Sequence, residues 1–344
     1  MLSVTKRLLL MLSIAAVAST SVTATSRPIV IAHRGASGYL PEHTLIAMAF
    51  AHGLGADYIE QDIVLSRDGV AMVLHDIHLD STTNVSQIFP DRARSDGRYY
   101  AIDFNAAELK QLEVFERADA SGSSVFERRF PKAPLGLRIP TLAEAIVLIK
   151  GLNKSRGTEA GLYIELKSPS FHRQAGWDIA KVVLDVLEAH ELNTAGAPVF
   201  LQCFDAATLR YLNDDLQTSL PLIQLIADNS WGEDGDNDYE LMRSDDGLRA
   251  VADYADGIGP WIPQLFDDKY PKLSERAHQH SLLVHPFTLR ADQFEPFDSF
   301  NALQQRVFIE AGADGAFTDF PDVTKHFIDR QFPNVTPEPT AGTE

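Results

Sequence analysis

The stretch YIEQDIVLSRDGVAMVLHD, residues 58–76, decides the fold. Two β-type runs, 58–64 and 70–74, flank Asp68-Gly69, a two-residue hairpin signal. Antiparallel pairing around that turn sets His75 roughly opposite Asp62. Similar short apolar runs lie at 29–32, 162–166, 199–203, 222–226, 257–259, 282–284 and 315–318. Nine runs exceed the eight slots of a barrel, and the hairpin partner is the surplus one. Helical patterns separate most of them, at 44–52, 141–149, 179–190, 206–213 and 301–311. Thr141 and Glu144, just after Pro140, make a capping-box signature for one helix start. Repeated strand–helix units predict a parallel sheet covered by helices.

An open doubly wound sheet and a closed (β/α)8 TIM barrel both satisfy that alternation. The barrel is preferred: no Gly-rich nucleotide loop follows the first strand, and candidate functional residues end several different strands. The α/β barrel is expected over residues 28–330, with an inserted segment at about 79–138 after the third run. That insertion is rich in Asp, Arg, Ser and Tyr, carries one helical piece at 106–112, and is expected to lie over the barrel mouth. Residues 333–344, rich in Pro and Thr, read as a flexible tail.

Composition narrows the partners. The 344 residues carry a formal charge of −18, which repels nucleic acid and anionic bilayers. An anionic substrate therefore needs a local positive field. Lys6 and Arg7 precede the uncharged run 8–18, and small residues follow at Ala16, Ala18, Val22 and Ala24. This is a signal peptide over 1–24 with cleavage near 18–24, too short to span a bilayer, so a secreted, periplasmic protein without stable membrane insertion is expected. The single Cys203, inside an apolar run, excludes an internal disulfide framework and reads as a buried core residue.

Residues two apart on a strand share a face, so Glu60 and Asp62 project together while Ile59, Gln61 and Ile63 face the other way. Two buried like charges are costly unless a cation neutralises them. Glu165, in 163–167, repeats the pattern on another strand and brings a third carboxylate. Such an oxygen-rich set suits a hard divalent ion, Ca²⁺ first and Mg²⁺ second, better than zinc. Lys167 either pairs with Glu165 or contacts substrate. His33 and His75 each end an apolar run and form a candidate acid/base pair. Arg34 is a natural clamp for a phosphoryl group. Trp261, with Trp231 and Phe287, either lines a pocket for the alcohol part of a substrate or packs; His285 reads as structural, and the 234–239 acidic loop as solvated.

The stretch 31–44 (IAHRGASGYLPEHT), together with Glu60, Asp62, His75 and Asp76, resembles the glycerophosphodiester phosphodiesterase family, in its periplasmic bacterial branch. Further matches fall at 165–167, 201–205, 255–260, 284–286 and 317–321. The resemblance implies a TIM barrel that hydrolyses glycerophosphodiesters to sn-glycerol 3-phosphate and an alcohol. It implies a divalent ion, often Ca²⁺, on Glu60, Asp62 and Glu165, acid/base residues His33 and His75, and Arg34 on the phosphate. His43 stands where many relatives carry Asn. Two rivals remain: a lipid-headgroup phospholipase on the same barrel, and a non-catalytic secreted binding protein.

Overall fold

All nine runs form strands in the computed structural model, which describes residues 27–333. The expected signal peptide over 1–24 and the expected tail over 333–344 lie outside the described residues, Pro333 apart. The strands are β1 (Ile29–Ala32), β2 (Tyr58–Leu65), β3 (Ala71–Val73), β4 (Gly161–Leu166), β5 (Val199–Cys203), β6 (Leu222–Ile226), β7 (Gly257–Pro260), β8 (Leu283–Val284) and β9 (Gly315–Thr318). Eight run in parallel in the order β8-β7-β6-β5-β4-β2-β1-β9, and β3 hangs antiparallel on β2. The chain after β8 closes the ring onto β9: Phe317 N donates to Pro286 O at 3.0 Å and Leu289 N to Phe317 O at 2.8 Å. The fold is a TIM barrel.

The hairpin register differs from the expected one by one residue. Ile63 faces Val73 and Leu65 faces Ala71, so Asp62 lies opposite Leu74 rather than His75. The loop has three residues, not two. Gly69 adopts φ +74 and its N–H reaches Ser66 O at 3.0 Å, a turn closed by a left-handed residue, and Trp177 atoms crowd within 2.8 Å of where a Cβ would sit. The extra loop residue shifts the return strand by one position.

Period-two alternation sorts the side chains. Ile59, Ile63, Ile164 and Leu166 point outward and are buried beneath helices. Inward, Ile31, Tyr163, Ile223 and Phe317 fill the barrel below the site, each worth about 1.5–3 kcal/mol of burial. The helix Ile179–Ala189 buries Ile179, Ala180, Val183, Leu184 and Leu187, one stripe at helical spacing. Thr141 and Glu144 do form the capping box, and that helix runs on to Arg156 before Gly157 stops it at φ +66. The apolar pattern ends at Ile149 because the last two turns face solvent more than core.

The inserted segment has a small core of its own. Leu79, Phe104, Leu109 and Leu112 pack on Met72 and Leu74 of the hairpin. Its helical piece covers only Ala106–Leu109, capped reciprocally by Asn105 and Glu108. Among the described residues, no helix is long and apolar enough to cross a membrane.

Candidate active site

The C-terminal ends of the strands open into a cavity of about 270 Å³, lined among others by His33, Arg34, Glu60, His75, Glu165 and Lys167. Strands β1, β2 and β4, with the loops after β1, β3 and β4, bring these groups together from three separate stretches of sequence. Trp231, Trp261 and Phe287 line one wall of the same cavity, with Trp231 and Trp261 ring centroids 5.2 Å apart.

The loop after β1 turns back tightly. Arg34 and His43 both hold left-handed backbone angles, φ +58 and +60, and His43 N donates to Arg34 O at 3.0 Å. Gly35 is required, since a Cβ there would come within 2.8 Å of the Ala47 carbonyl carbon. This turn aims the Arg34 N–H at Glu60 Oε2 (2.6 Å) and its guanidinium at Glu42 Oε1 (3.1 Å) and Asp62 Oδ2 (3.5 Å).

Glu60, Asp62 and Glu165 are all nearly fully buried. Asp62 and Glu165 face each other across the β2–β4 register. Burial, then the charges of Asp62 and Glu165, hold Glu60 well above the usual carboxylate range. Burial likewise pushes Glu165 up to about 8, although Lys167 opposes it from 2.7 Å. Asp62 stays low despite its burial because His75, Lys167 and His43 favour its charge. Asp62 Oδ1 is buried without a hydrogen-bond partner. Clustered oxygen donors, an orphaned carboxylate oxygen and mutual repulsion all fit a divalent cation.

Ligand atoms of His43, Glu60 and Asp62 lie within 4.8 Å of one another, a group that does not include Glu165. His43 Nε2 sits 2.7 Å from Asp62 Oδ2 and orients it. Lys167 lies 2.7 Å from Glu165 and also lines the cavity, so both of its readings are structurally available. His285 sits below the site, its Nδ1 3.0 Å from Tyr163 Oη, as a core residue. Asp234 accepts from Ser170 N at 2.6 Å and anchors its loop.

Each candidate catalytic histidine leans on a carboxylate. His33 Nδ1 is 2.6 Å from Asp319 Oδ1, and His75 Nδ1 is 2.5 Å from Asp76 Oδ1. Burial, then Arg34, pushes His33 down to about 4 and His75 down to about 3, so both rings are neutral at pH 7. Despite their burial, Asp319 and Asp76 are held below the usual range, Asp319 by Arg290, His33 and Arg129, Asp76 by His75 and Arg117. The roles of Asp319, Glu42, Arg117 and Arg129 escaped sequence reasoning. Asp319 and Glu42 lie inside stretches that carried the resemblance, but the two insertion arginines left no local signal.

Glu116 lies beside this network, buried, with Oε2 unpartnered. Burial, then the Glu42 charge, pushes it up to about 8 from an ordinary 4.5. A carboxyl raised on folding favours the folded state fully below its unfolded pKa, and that contribution is lost as pH climbs through the folded value. Wild-type stability should therefore fall between pH 5 and 8 more steeply than that of Glu116→Gln, by a few kcal/mol to order of magnitude. Denaturant midpoints at both pH values check this, and parallel slopes would refute it.

Known proteins resemble this chain over most of its length. Residues 33–323 match the model of the glycerophosphoryl diester phosphodiesterase family. The chain is 39% identical to a glycerophosphodiester phosphodiesterase of Haemophilus influenzae, covering 88% of this chain and 90% of the relative. It is 31% identical to one from Treponema pallidum, covering 88% and 92%. Among solved structures, an Oleispira antarctica phosphodiesterase in complex with the product sn-glycerol-3-phosphate superposes with a TM-score of 0.61 at 23% identity, covering 88% of this chain and 97% of that one. A glycerophosphodiester phosphodiesterase from Agrobacterium tumefaciens gives 0.57 at 22%, covering 87% and 99%.

Proposed function

Because this chain belongs to the glycerophosphoryl diester phosphodiesterase family, we propose that it hydrolyses soluble glycerophosphodiesters to sn-glycerol 3-phosphate and a free alcohol. The observation that carries the reading is two carboxylate-backed histidines sharing one cavity with Glu60 and Glu165, with Asp62 buried beside Glu165 on the neighbouring strand. Glu60, Asp62 and Glu165 would hold a divalent cation, Ca²⁺ with Mg²⁺ as alternative, which when bound polarises the phosphoryl oxygens. Arg34, 3.5 Å from Asp62, turns its guanidinium toward the same charge.

His33 is the base and His75 the acid in this proposal. The Arg34 Nε–H donates to His33 Nε2 at 3.2 Å, so that nitrogen is the unprotonated one, and once Arg34 turns to the phosphate its lone pair is free to take a proton from the nucleophile. The nucleophile is water or the glycerol 2-hydroxyl, the latter giving a cyclic intermediate. Burial, Arg34 and Lys167 keep the free His75 ring neutral against the opposing pull of Asp62 and Asp76. An anionic diester alongside favours the imidazolium, formed with a proton from solvent, and His75 passes that proton to the departing alkoxide. Lys167 contacts a substrate oxygen, and the alcohol departs along Trp261, Trp231 and Phe287. The periplasmic setting expected from residues 1–24 belongs to the same proposal.

Purified protein with Ca²⁺ or Mg²⁺ should release sn-glycerol 3-phosphate from glycerophosphocholine and related diesters, read through glycerol-3-phosphate dehydrogenase. Activity confined to phospholipid micelles would favour the phospholipase instead. No release with either ion would leave a binding protein.

A further inference from the structure

We propose that the inserted segment completes the acid/base pair, with Arg117 and Arg129 as positioning residues that lock the carboxylates behind His75 and His33. The inference rests on the hydrolytic reading above. Asp76 offers Oδ1 to His75 and Oδ2 to Arg117 Nη1 at 2.7 Å, with Ser81 Oγ also donating at 2.8 Å. Asp319 offers Oδ1 to His33 and Oδ2 to Arg129 Nη2 at 2.6 Å. The two halves of the site therefore repeat one arrangement: histidine, carboxylate, insertion arginine.

Each arginine is itself held by a second carboxylate, Arg117 at its far edge and Arg129 with Nη2 shared between Asp319 and Asp292. Arg117 grips Glu42 through Nε (2.9 Å) and Nη2 (2.7 Å), and Arg129 grips Asp292 through Nε (2.8 Å) and Nη2 (3.1 Å). Arg129 is 4% exposed and its guanidinium stacks 3.6 Å from the Phe126 ring centroid, so it is built into the insertion. A planar fork bridging two carboxylates fixes both in angle, which an ammonium point charge does not do. With the carboxylate fixed, Nδ1 of each ring is committed to it and chemistry falls to Nε2, which on His33 also accepts from Arg34 Nε. Asp319 has a second donor on the barrel side, Arg290 Nε at 2.9 Å, whereas Asp76 depends on Arg117 and one hydroxyl. Losing Arg117 should cost more.

The test compares glycerophosphocholine with glycerophospho-p-nitrophenol, whose leaving group departs without an acid. Wild-type release of glycerol 3-phosphate from both tests the reaction itself, separately from the clamp. Arg117→Met should lose about 10²-fold in kcat on the choline diester and far less on the p-nitrophenyl diester. Arg129→Met should lose about tenfold on both. Arg117 also steadies Glu42 beside Arg34, so its KM rises, equally for both substrates because they share the glycerophosphoryl group. The contrast appearing in Arg129→Met instead would keep the clamp and exchange the histidines' roles. Should either Met variant fail to fold, Arg117→Lys and Arg129→Lys keep charge and most volume and should show the same contrast, smaller. Wild-type kcat in both variants, or equal losses on the two substrates in every variant, would overturn the proposal.

Discussion

Alanine at His33 or His75 should lower glycerophosphocholine turnover by about 10²–10⁴-fold, the range that one positioned acid or base contributes. Both rings line the cavity, each has Nδ1 committed to an ionised carboxylate, and neither Nδ1 is free for catalysis. The two substitutions should differ in kind. His33→Ala removes the acceptor of the nucleophile's proton and should slow every diester. His75→Ala removes the donor to the leaving alcohol and should largely spare a p-nitrophenyl diester. Neither ring belongs to the acidic cluster, so cation-induced stabilisation should survive in both variants. Wild-type turnover in both would remove the acid/base mechanism.

Legibility followed sequence distance. The nine strands were readable because apolar runs are short, alternate with helical periods and end at turn residues, as 29–32 and 315–318 show. Glu60 and Asp62 were readable as an inward pair because strand periodicity needs no neighbours. The hairpin register was not, because the Asp68-Gly69 signal does not say whether Arg67 belongs to the strand or to the loop. Partnership was hardest. Asp319 reaches His33 across 286 positions of sequence, and Arg129 reaches Asp319 across 190. Only ring closure brings them together, and no local pattern encodes it. His43 was visible as a departure from its relatives, yet its contact with Asp62 depends on the left-handed backbone at His43 itself.

Stripping divalent ions should abolish turnover almost completely, by about 10³-fold or more, since charge stabilisation by such an ion contributes several kcal/mol and each ~1.4 kcal/mol is tenfold. The same treatment should lower stability, because the folded chain gathers Glu60, Asp62 and Glu165 as buried acidic groups whose repulsion an ion relieves. A saturating ion at a hundredfold over its Kd adds about 2.7 kcal/mol, readable as a rise in Tm of several degrees. Resupplying Ca²⁺ should restore both properties, with Mg²⁺ as the comparison, because the donor set is mainly carboxylate oxygen. Asp62→Asn keeps the shape and the His43 contact but removes the charge that His43, His75 and Lys167 sustain. Its Tm should no longer respond to Ca²⁺, and its turnover should match that of the stripped wild type. Full turnover in chelator, with a Tm indifferent to either ion, would show that these carboxylates serve some purpose other than holding a cation.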